Sequence, residues 1–431
     1  MSTDAEINPH YLGHVVHAAQ SHDIEVCEDI VTGNGIKLLA KGTRINAAAR
    51  ERLLQHKLRK PLEDCVRVSG GTGMQQLVDT AQALFDQHLL MRELCGGGDA
   101  ALAALRRLRL SGPVQSLLTV YAEHRPNKLA HAVGAGLLAH ALIRRLAPHM
   151  PDQHPQILLA GLLHDVGELY IDPQILDRGA RLEPAQWKHI VTHPIVAHRL
   201  LKDMEGAGPV IAEAVLQHHE RLDGFGYPAG LRGPSVGLGG QVLSVAELLV
   251  GLLESAGQPL VSASVAMKLI PGEFSRAALD TVISASQSAA TKPAPPPKPA
   301  DTDRLAPRVR RLAGLLRRFR AAAPMIDKEM SKASPALKAL MEHAVERMYR
   351  IHLAFSSTGL DAANARQMMQ DATLPGPDGA QTEAGIVVRE LEWRMKELER
   401  EALMRVQMVA PQEAAVVHRL IGLVKGAQRL S

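Results

Sequence analysis

The sequence predicts a mainly α protein: an all-α helical bundle with a small N-terminal β-containing domain ahead of it and a C-terminal helical region behind. Three observations point there. Aromatic residues make up 3% of the chain, so the cores must be filled by Leu, Ala, Val and Ile, which suits closely packed helices better than strand-rich sandwiches or base-stacking surfaces. Apolar residues recur at helical spacing from Met74 to about Leu146, and again in segments running to Ala289. The stretch Thr291–Ala300 (TKPAPPPKPA) lacks so many amide donors that it can enter neither a helix nor a sheet interior and reads as a polyproline-II linker. A chain of 431 residues, at roughly 100–200 residues per domain, suggests about three domains. The expected plan is a β-containing domain over 1–73, a helical domain over 74–290, the linker over 291–300 and a C-terminal helical region over 301–431.

Each element has a local reason. Between Ile24 and Val68, IEVCEDI is followed by VTGNGIKLLAKGTRI, where Gly33, Asn34 and Gly35 supply the turn that joins two short strands. Asn46 can N-cap a helix reaching about His56, and SGGTG at Ser69–Gly73 closes the module. Helices then follow, interrupted by CGGGD at Cys95–Asp99 and by Ser111–Pro113; QILLAGLLHDVGEL opens another after Pro155, and further helical segments lie at Pro184–Asp203, Val210–Arg221 and Gly240–Glu254. Beyond the linker, Leu305, Val309, Leu312, Leu316 and Phe319 form one helical stripe with Arg304, Arg308, Arg311 and Arg318 opposite, a solvated face. A helix from Ile386 to about Val406 carries Val387, Leu391, Leu398 and Ala402 on one side, with Glu390/Arg394 and Glu392/Lys396 spaced as i,i+4 pairs. That stripe serves either internal packing or a homodimer seam.

Composition removes several function classes. Hydrophobic residues at 46% and charged residues at 22% argue against wholesale disorder and against a fibrous protein. A formal net charge of +4 is too small a bias for this length to imply DNA or an anionic membrane as partner. Cys27, Cys65 and Cys95 have no CxxC spacing, so neither a disulfide framework nor a thiolate zinc site is expected, and a reducing compartment suits them. With no basic segment leading an apolar one at the N-terminus and no long apolar run, the expectation is a cytoplasmic chain without membrane insertion.

The chemistry concentrates in the bundle. His164 and Asp165 end an apolar helix that has every reason to exclude ionisable groups. His131 lies in the preceding helix, His193 follows in THPIVAH, and His218 and His219 open HHERLDGFGYP. Imidazoles with a carboxylate, and no nearby cysteine, suit divalent Fe, Mn or Zn, and bundle interiors are where ligands from facing helices converge. Adjacent residues on a helix point about 100° apart, so His164/Asp165 and His218/His219 address two neighbouring metals more readily than one. A carboxylate shared by two cations about 3.5–4 Å apart is a device for activating water against phosphate esters. In DGFGYP, Gly224, Gly226 and Pro228 impose a tight turn that lets backbone amides and Tyr227 approach a ligand.

These residues resemble the HD-GYP subgroup of HD-domain metal phosphohydrolases, bacterial enzymes that hydrolyse cyclic di-GMP. LLHDVGELYIDPQIL is similar to the family's HD segment, WKHIVTHPIVAHRLL to its central histidine segment, and HHERLDGFGYPAGLRG to its signature, over roughly Lys128 to Glu254. The resemblance implies an HD-type bundle and a centre of two divalent metal ions, iron or manganese rather than zinc. His131, His164, Asp165, His193, His218 and His219 fall on the ligand positions, with Asp165 bridging and catalytic. Glu247 stands where the family has its last aspartate ligand. Asn127 occupies the position of a third-metal glutamate, which implies two metals rather than three. Asp223, Gly224, Gly226, Tyr227 and Pro228 fall on the substrate-binding turn. Glu168 stands where the family carries a lysine; as an extra oxygen ligand it would strengthen metal binding, whereas as a free carboxylate about 5 Å from a bound phosphate it would repel it by roughly 3 kcal/mol at an effective dielectric near 20. GLLESAGQPL lacks the expected substrate arginine.

The leading expectation is therefore a phosphodiesterase hydrolysing cyclic di-GMP to pGpG and GMP in bacterial signalling. The alternative is a catalytically degenerate HD-GYP domain that binds metal or nucleotide and signals through protein partners.

Overall fold

A computed structural model of the chain describes residues 6–125, 127–176, 183–254, 259–290, 305–360 and 379–426. The expected linker over 291–300 and the basic residue Arg304 lie outside the described residues. The architecture is mainly helical, as the composition requires, and falls into two compact units. One holds residues up to 181 with 189–260 and 272–292; the other holds 182–188, 261–271 and the chain from 293 onward. Two short segments of the bundle's sequence thus go with the second unit, an exchange that no change of composition marks.

The chain enters through α1 (Pro9–Ala18), whose Asn8 cap accepts from the amides of His10 at 2.9 Å and Tyr11 at 3.0 Å. Strand β1 (Asp23–Val26) turns Ile24 and Val26 inward. Then β2 (Ile30–Val31) and β3 (Lys37–Leu39) pair antiparallel around the Gly33–Asn34–Gly35 turn, where Gly35 takes φ +88°. Helix α2 (Ala47–Leu54) starts on Asn46, whose side chain accepts from Ala49 N at 2.9 Å. After α3 (Leu62–Cys65), strand β4 (Val66–Ser69) returns to pair antiparallel with β1, Ile24 opposite Val68.

The bundle follows: α4 (Met74–Gln87), α5 (Leu89–Cys95), α6 (Asp99–Arg107), α7 (Gly112–His124), α8 (Lys128–Leu146), α9 (Gln153–Leu163), α10 (Pro184–Val191), α11 (His193–Leu201), α12 (Pro209–Leu216), α13 (Leu238–Glu254), α14 (Pro259–Leu269) and α15 (Arg276–Ala290). The β module is fastened to it by buried hydroxyls on α7: Ser116 Oγ accepts from Val68 N at 3.0 Å and Thr119 Oγ1 from Thr72 N at 2.9 Å. At its centre α8 and α9 pack backbone on backbone. A Cβ at Gly161 would sit 2.5 Å from Gly136 Cα, so only glycine permits this approach, and the approach brings the histidines of the two helices within reach of each other.

In the second unit, α16 (Leu305–Ala321), α17 (Ala323–Met330), α18 (Pro335–Ser357), α19 (Gly379–Arg405) and α20 (Pro411–Lys425) bury two apolar clusters, one around Val309, Ile351, Phe355 and Leu391, the other around Ile326, Leu337, Leu340 and Val417. Val387, Leu391, Leu398 and Ala402 are all buried here, so the α19 stripe is core and offers no homodimer seam. Glu390 and Arg394 make the expected i,i+4 pair at 3.1 Å, almost fully buried. Glu392 instead takes Arg308 at 2.7 Å, because the neighbouring helix brings a forked guanidinium closer than Lys396. Among the described residues no helix is long and apolar enough to cross a membrane.

His14 on α1 meets His124 at the end of α7, their Nδ1 atoms 3.2 Å apart. Burial, reinforced by neighbouring positive groups, pushes His14 down to about 4 and His124 down to about 3. An unfolded histidine titrates near 6.5, so between these values the unfolded chain binds more protons than the folded one, and stability falls as pH falls. The metal-free protein is expected to lose melting temperature between pH 7 and 4.5, with a shallower loss for His124→Gln. Circular-dichroism melts of the two proteins check this, and equal slopes contradict it.

Candidate metal centre

Four helix ends converge on one point. His131 sits in the first turn of α8, a helix launched from Asn127 at φ +68°, the one non-glycine residue with positive φ among those described. Asparagine tolerates that left-handed start better than most residues, which gives position 127 a backbone role. His164 closes α9 and Asp165 follows, leading into a tight 3₁₀ turn over Val166–Tyr170. A Cβ on Gly167 would lie 2.1 Å from His193 O, so glycine lets this turn press against the start of α11, where His193 stands. His218 and His219 follow α12, and Glu247 reaches in from α13.

Backbone carbonyls fix the imidazoles. His164 Nδ1 donates to Gly161 O at 2.8 Å, His193 Nδ1 to Ile190 O at 2.7 Å and His218 Nδ1 to Val215 O at 2.6 Å. A carbonyl can only accept, so in the neutral rings each Nε2 carries a lone pair and points inward. His131 Nε2 and His164 Nε2 are then 3.2 Å apart, and His193 Nε2 and His218 Nε2 3.1 Å apart.

The donors form two groups with Asp165 in both. Asp165, His193, His218 and His219 make one, and His131, His164 and Asp165 the other, with donor atoms in each group within 4.8 Å of one another. Asp165 Oδ1 lies 3.4 Å from His193 Nε2 and 3.7 Å from His218 Nε2, whereas Oδ2 lies 3.5 Å from His131 Nε2. Oδ1 also lies 3.5 Å from His164 Nε2, so the carboxylate stands between the two groups and reaches both. Glu247 Oε2 lies 3.2 Å from both His131 Nε2 and His164 Nε2, adding its oxygen to the second group. Facing lone pairs at such separations repel unless a cation or proton stands between them, and this nitrogen-and-oxygen donor set fits divalent metal ions.

The electrostatics agree. Burial holds His218 down at about 4 and His219 well below the ordinary histidine range, so both are neutral ligands near pH 7. Burial opposes the charges on Asp165 and Glu247, yet His164 and Lys128 for the first, and His131 and His164 for the second, hold both carboxyls well below the usual range.

A family model of the HD domain matches residues 114–279, the stretch that contributes every one of these side chains. Residues 114–279 are an HD domain. The chain is similar to a cyclic di-GMP phosphodiesterase of Pseudomonas aeruginosa, 35% identical over 109 residues, covering 25% of this chain and 26% of that protein. It is also similar to 3'3'-cGAMP-specific phosphodiesterase 1 of Vibrio cholerae, 32% identical over 99 residues, 23% of each chain. The chain thus spans about a quarter of the length of these curated relatives. A solved HDG"Y"P protein from Bdellovibrio bacteriovorus aligns over 62% of this chain and 97% of its own, at 17% identity and a TM-score of 0.34; at that score it adds nothing to the fold argument.

Within this HD domain the residues of the DGFGYP turn divide. Tyr227 stacks on His219, ring centroids 4.5 Å apart, and its amide donates to His219 O at 3.1 Å. Gly226 passes so close to the Arg221 amide that a Cβ would lie 2.3 Å from it, and Pro228 follows through a cis peptide bond. Asp223 and Gly224 make contacts of the turn itself: Asp223 Oδ1 accepts from Phe225 N at 3.2 Å, and Gly224 lies against the Arg232 side chain. Glu220, which sequence reasoning passed over, anchors the turn, its buried carboxylate accepting from Ala229 N at 2.7 Å and Leu231 N at 2.9 Å.

Glu168 differs from expectation. It is an ion-pair partner of Lys128, whose Nζ also lies 3.3 Å from Asp165 Oδ2. Burial disfavours the Lys128 charge, but Tyr121, Asp165 and Glu168 outweigh it and hold the ammonium protonated. The repulsive free carboxylate at position 168 is therefore absent, and a cation stands beside the centre from a different helix. Lys128 is three residues before His131, hence on the same helical face, a signal the sequence carries. Tyr121 Oη donates to Asp165 Oδ2 at 3.4 Å from α7.

Asp165→Ala removes the carboxylate common to both groups and is expected to lower bound divalent metal to near zero with helical content retained. His131→Ala damages one group only and should keep about one equivalent per chain if the site holds a metal pair. Inductively coupled plasma mass spectrometry with far-UV circular dichroism measures both, and full metal occupancy in Asp165→Ala contradicts the assignment.

Proposed function

We propose that the chain is a metal-dependent phosphodiesterase that hydrolyses cyclic di-GMP to pGpG and GMP. The observation that carries this reading is Asp165, one buried carboxylate that belongs to both histidine groups. Two divalent cations, iron or manganese rather than zinc, would supply Lewis-acid activation of water and of a phosphoryl oxygen when held by these groups. Asp165 is the bridging ligand and catalytic residue, His131, His164 and Glu247 serve one side, and His193, His218 and His219 serve the other. The names of the curated relatives, cyclic di-GMP and 3'3'-cGAMP phosphodiesterases, support a cyclic dinucleotide as substrate class.

The chain's own residues carry the remaining work. The Nδ1–H bonds to Gly161, Ile190 and Val215 orient the three rings so that no reorganisation is needed on loading. Lys128 keeps its proton on Nζ and offsets the charges of Asp165 and Glu168, so an anionic phosphate meets a cation rather than two uncompensated carboxylates. Glu168 consequently no longer argues for a degenerate domain. Tyr227 covers one face of His219 and borders the place where a base or ribose would rest, with Gly226 and Pro228 shaping that wall. Asp223 and Gly224 act through the shape of the turn.

Protein reconstituted anaerobically with Mn or Fe and incubated with cyclic di-GMP should yield pGpG or GMP. Lys128→Met should lower turnover by about 10²-fold, the scale of losing one preorganised electrostatic contact, with metal content unchanged and part of the rate restored in Lys128→Arg. Fully loaded protein that leaves cyclic di-GMP intact overturns the proposed activity. Hydrolysis of 3'3'-cGAMP alone changes the substrate and keeps the class.

A further inference from the structure

A cavity of about 480 Å³ lies within the second unit, among α16, α18, α19 and α20. Its size falls in the range of roughly 300–1,000 Å³ typical of small-molecule sites. Leu312, Leu340, Met341, Met348, Met395 and Leu420 face it. Three methionines in the lining, Met341 and Met348 from α18 and Met395 from α19, make it adaptable, since an unbranched thioether repacks easily around an apolar guest. The cavity separates the two apolar clusters of this unit, one containing Leu312 and Met348, the other Leu340 and Met341.

The mouth is charged, and its charges do not cancel. Glu392 is taken by Arg308 at 2.7 Å, and Glu399 is taken by Lys425. Arg318 donates to the carbonyls of Val424 at 2.8 Å and Lys425 at 3.3 Å, capping α20. That leaves Arg311 on α16 and Lys396 on α19, both exposed and both lining the cavity, without an ion-pair partner among the described residues. A solitary exposed cation is ordinary. Two on one apolar cavity, whose rim carboxylates are already engaged, give the cavity a chemical polarity: an apolar interior under a cationic mouth.

We propose that this cavity binds a monomeric anionic amphiphile, a single short acyl chain or compact apolar ring system with one carboxylate-like head held by Arg311 and Lys396. A volume of about 480 Å³ leaves no room for the paired long chains of a bilayer lipid, so the ligand is taken from solution. This site is independent of the metal centre and assigns part of the arginine face of α16 to binding.

Isothermal titration calorimetry of the full chain with octanoate, below its micellar range, tests the proposal. Saturable binding of one octanoate per chain is expected, with 1-octanol binding more weakly and octyltrimethylammonium weaker still. The double variant Arg311→Glu/Lys396→Glu changes only exposed side chains; it should weaken octanoate at least tenfold and leave 1-octanol unchanged. Met341→Trp, which fills the interior, should abolish both. If circular dichroism shows that Met341→Trp does not fold, the surface double variant decides alone. Absence of saturable octanoate binding overturns the proposal, as does equal binding of octyltrimethylammonium or an unweakened double variant. Binding to phosphatidylglycerol vesicles without binding to octanoate overturns it as well, by making the basic rim a membrane contact.

Discussion

Asp165 is buried, yet it keeps its charge, and most of the first unit can be understood as what makes that tolerable. A carboxylate removed from water costs several kcal/mol unless matched by partners, and here imidazoles from three other elements, Lys128 and Tyr121 are brought within 3.7 Å of it. The backbone contact of Gly136 with Gly161 sets the spacing of α8 and α9, and Gly167 sets that of the 3₁₀ turn and α11. The carbonyls that accept from Nδ1 lie in the last turns of α9, α10 and α12, where intrahelical donors run short. Each histidine bond thus satisfies a helix terminus and aims a ligand at once. Without a cation the cluster holds lone pairs facing one another; with cations the same geometry becomes complementary.

Much of this was legible in the sequence because the informative residues are local. Asn46 before a helical run, Gly33–Gly35 between two short strands, and HD and HH dipeptides at helix ends all announce themselves within a few residues. The ligand positions named from the motif resemblance, including Glu247, converge in the structure. What could not be read depends on neighbours distant in sequence. Glu168 looks like a lone anion until Lys128, 40 positions earlier, folds against it. Lys396 looks paired with Glu392 by spacing alone, but Arg308 from another helix takes that carboxylate.

The C-terminal unit illustrates the same limit from the other side. Its helices and apolar stripes follow from periodicity, but a stripe does not say whether its partner is internal or external. Burial of Val387, Leu391, Leu398 and Ala402 answers that within the unit. The segments 182–188 and 261–271 join this unit although their sequence belongs to the bundle's run, so the Pro-rich linker is a compositional boundary rather than the full line of division.

The central claim is that Asp165 is shared by two metal ions. Anomalous diffraction from crystals of the manganese-loaded protein tests it most directly. The account predicts two anomalous peaks about 3.5–4 Å apart, one on the His131/His164 side and one on the His193/His218/His219 side, with one Asp165 oxygen coordinated to each. A single peak, or two peaks of which only one touches Asp165, would contradict it.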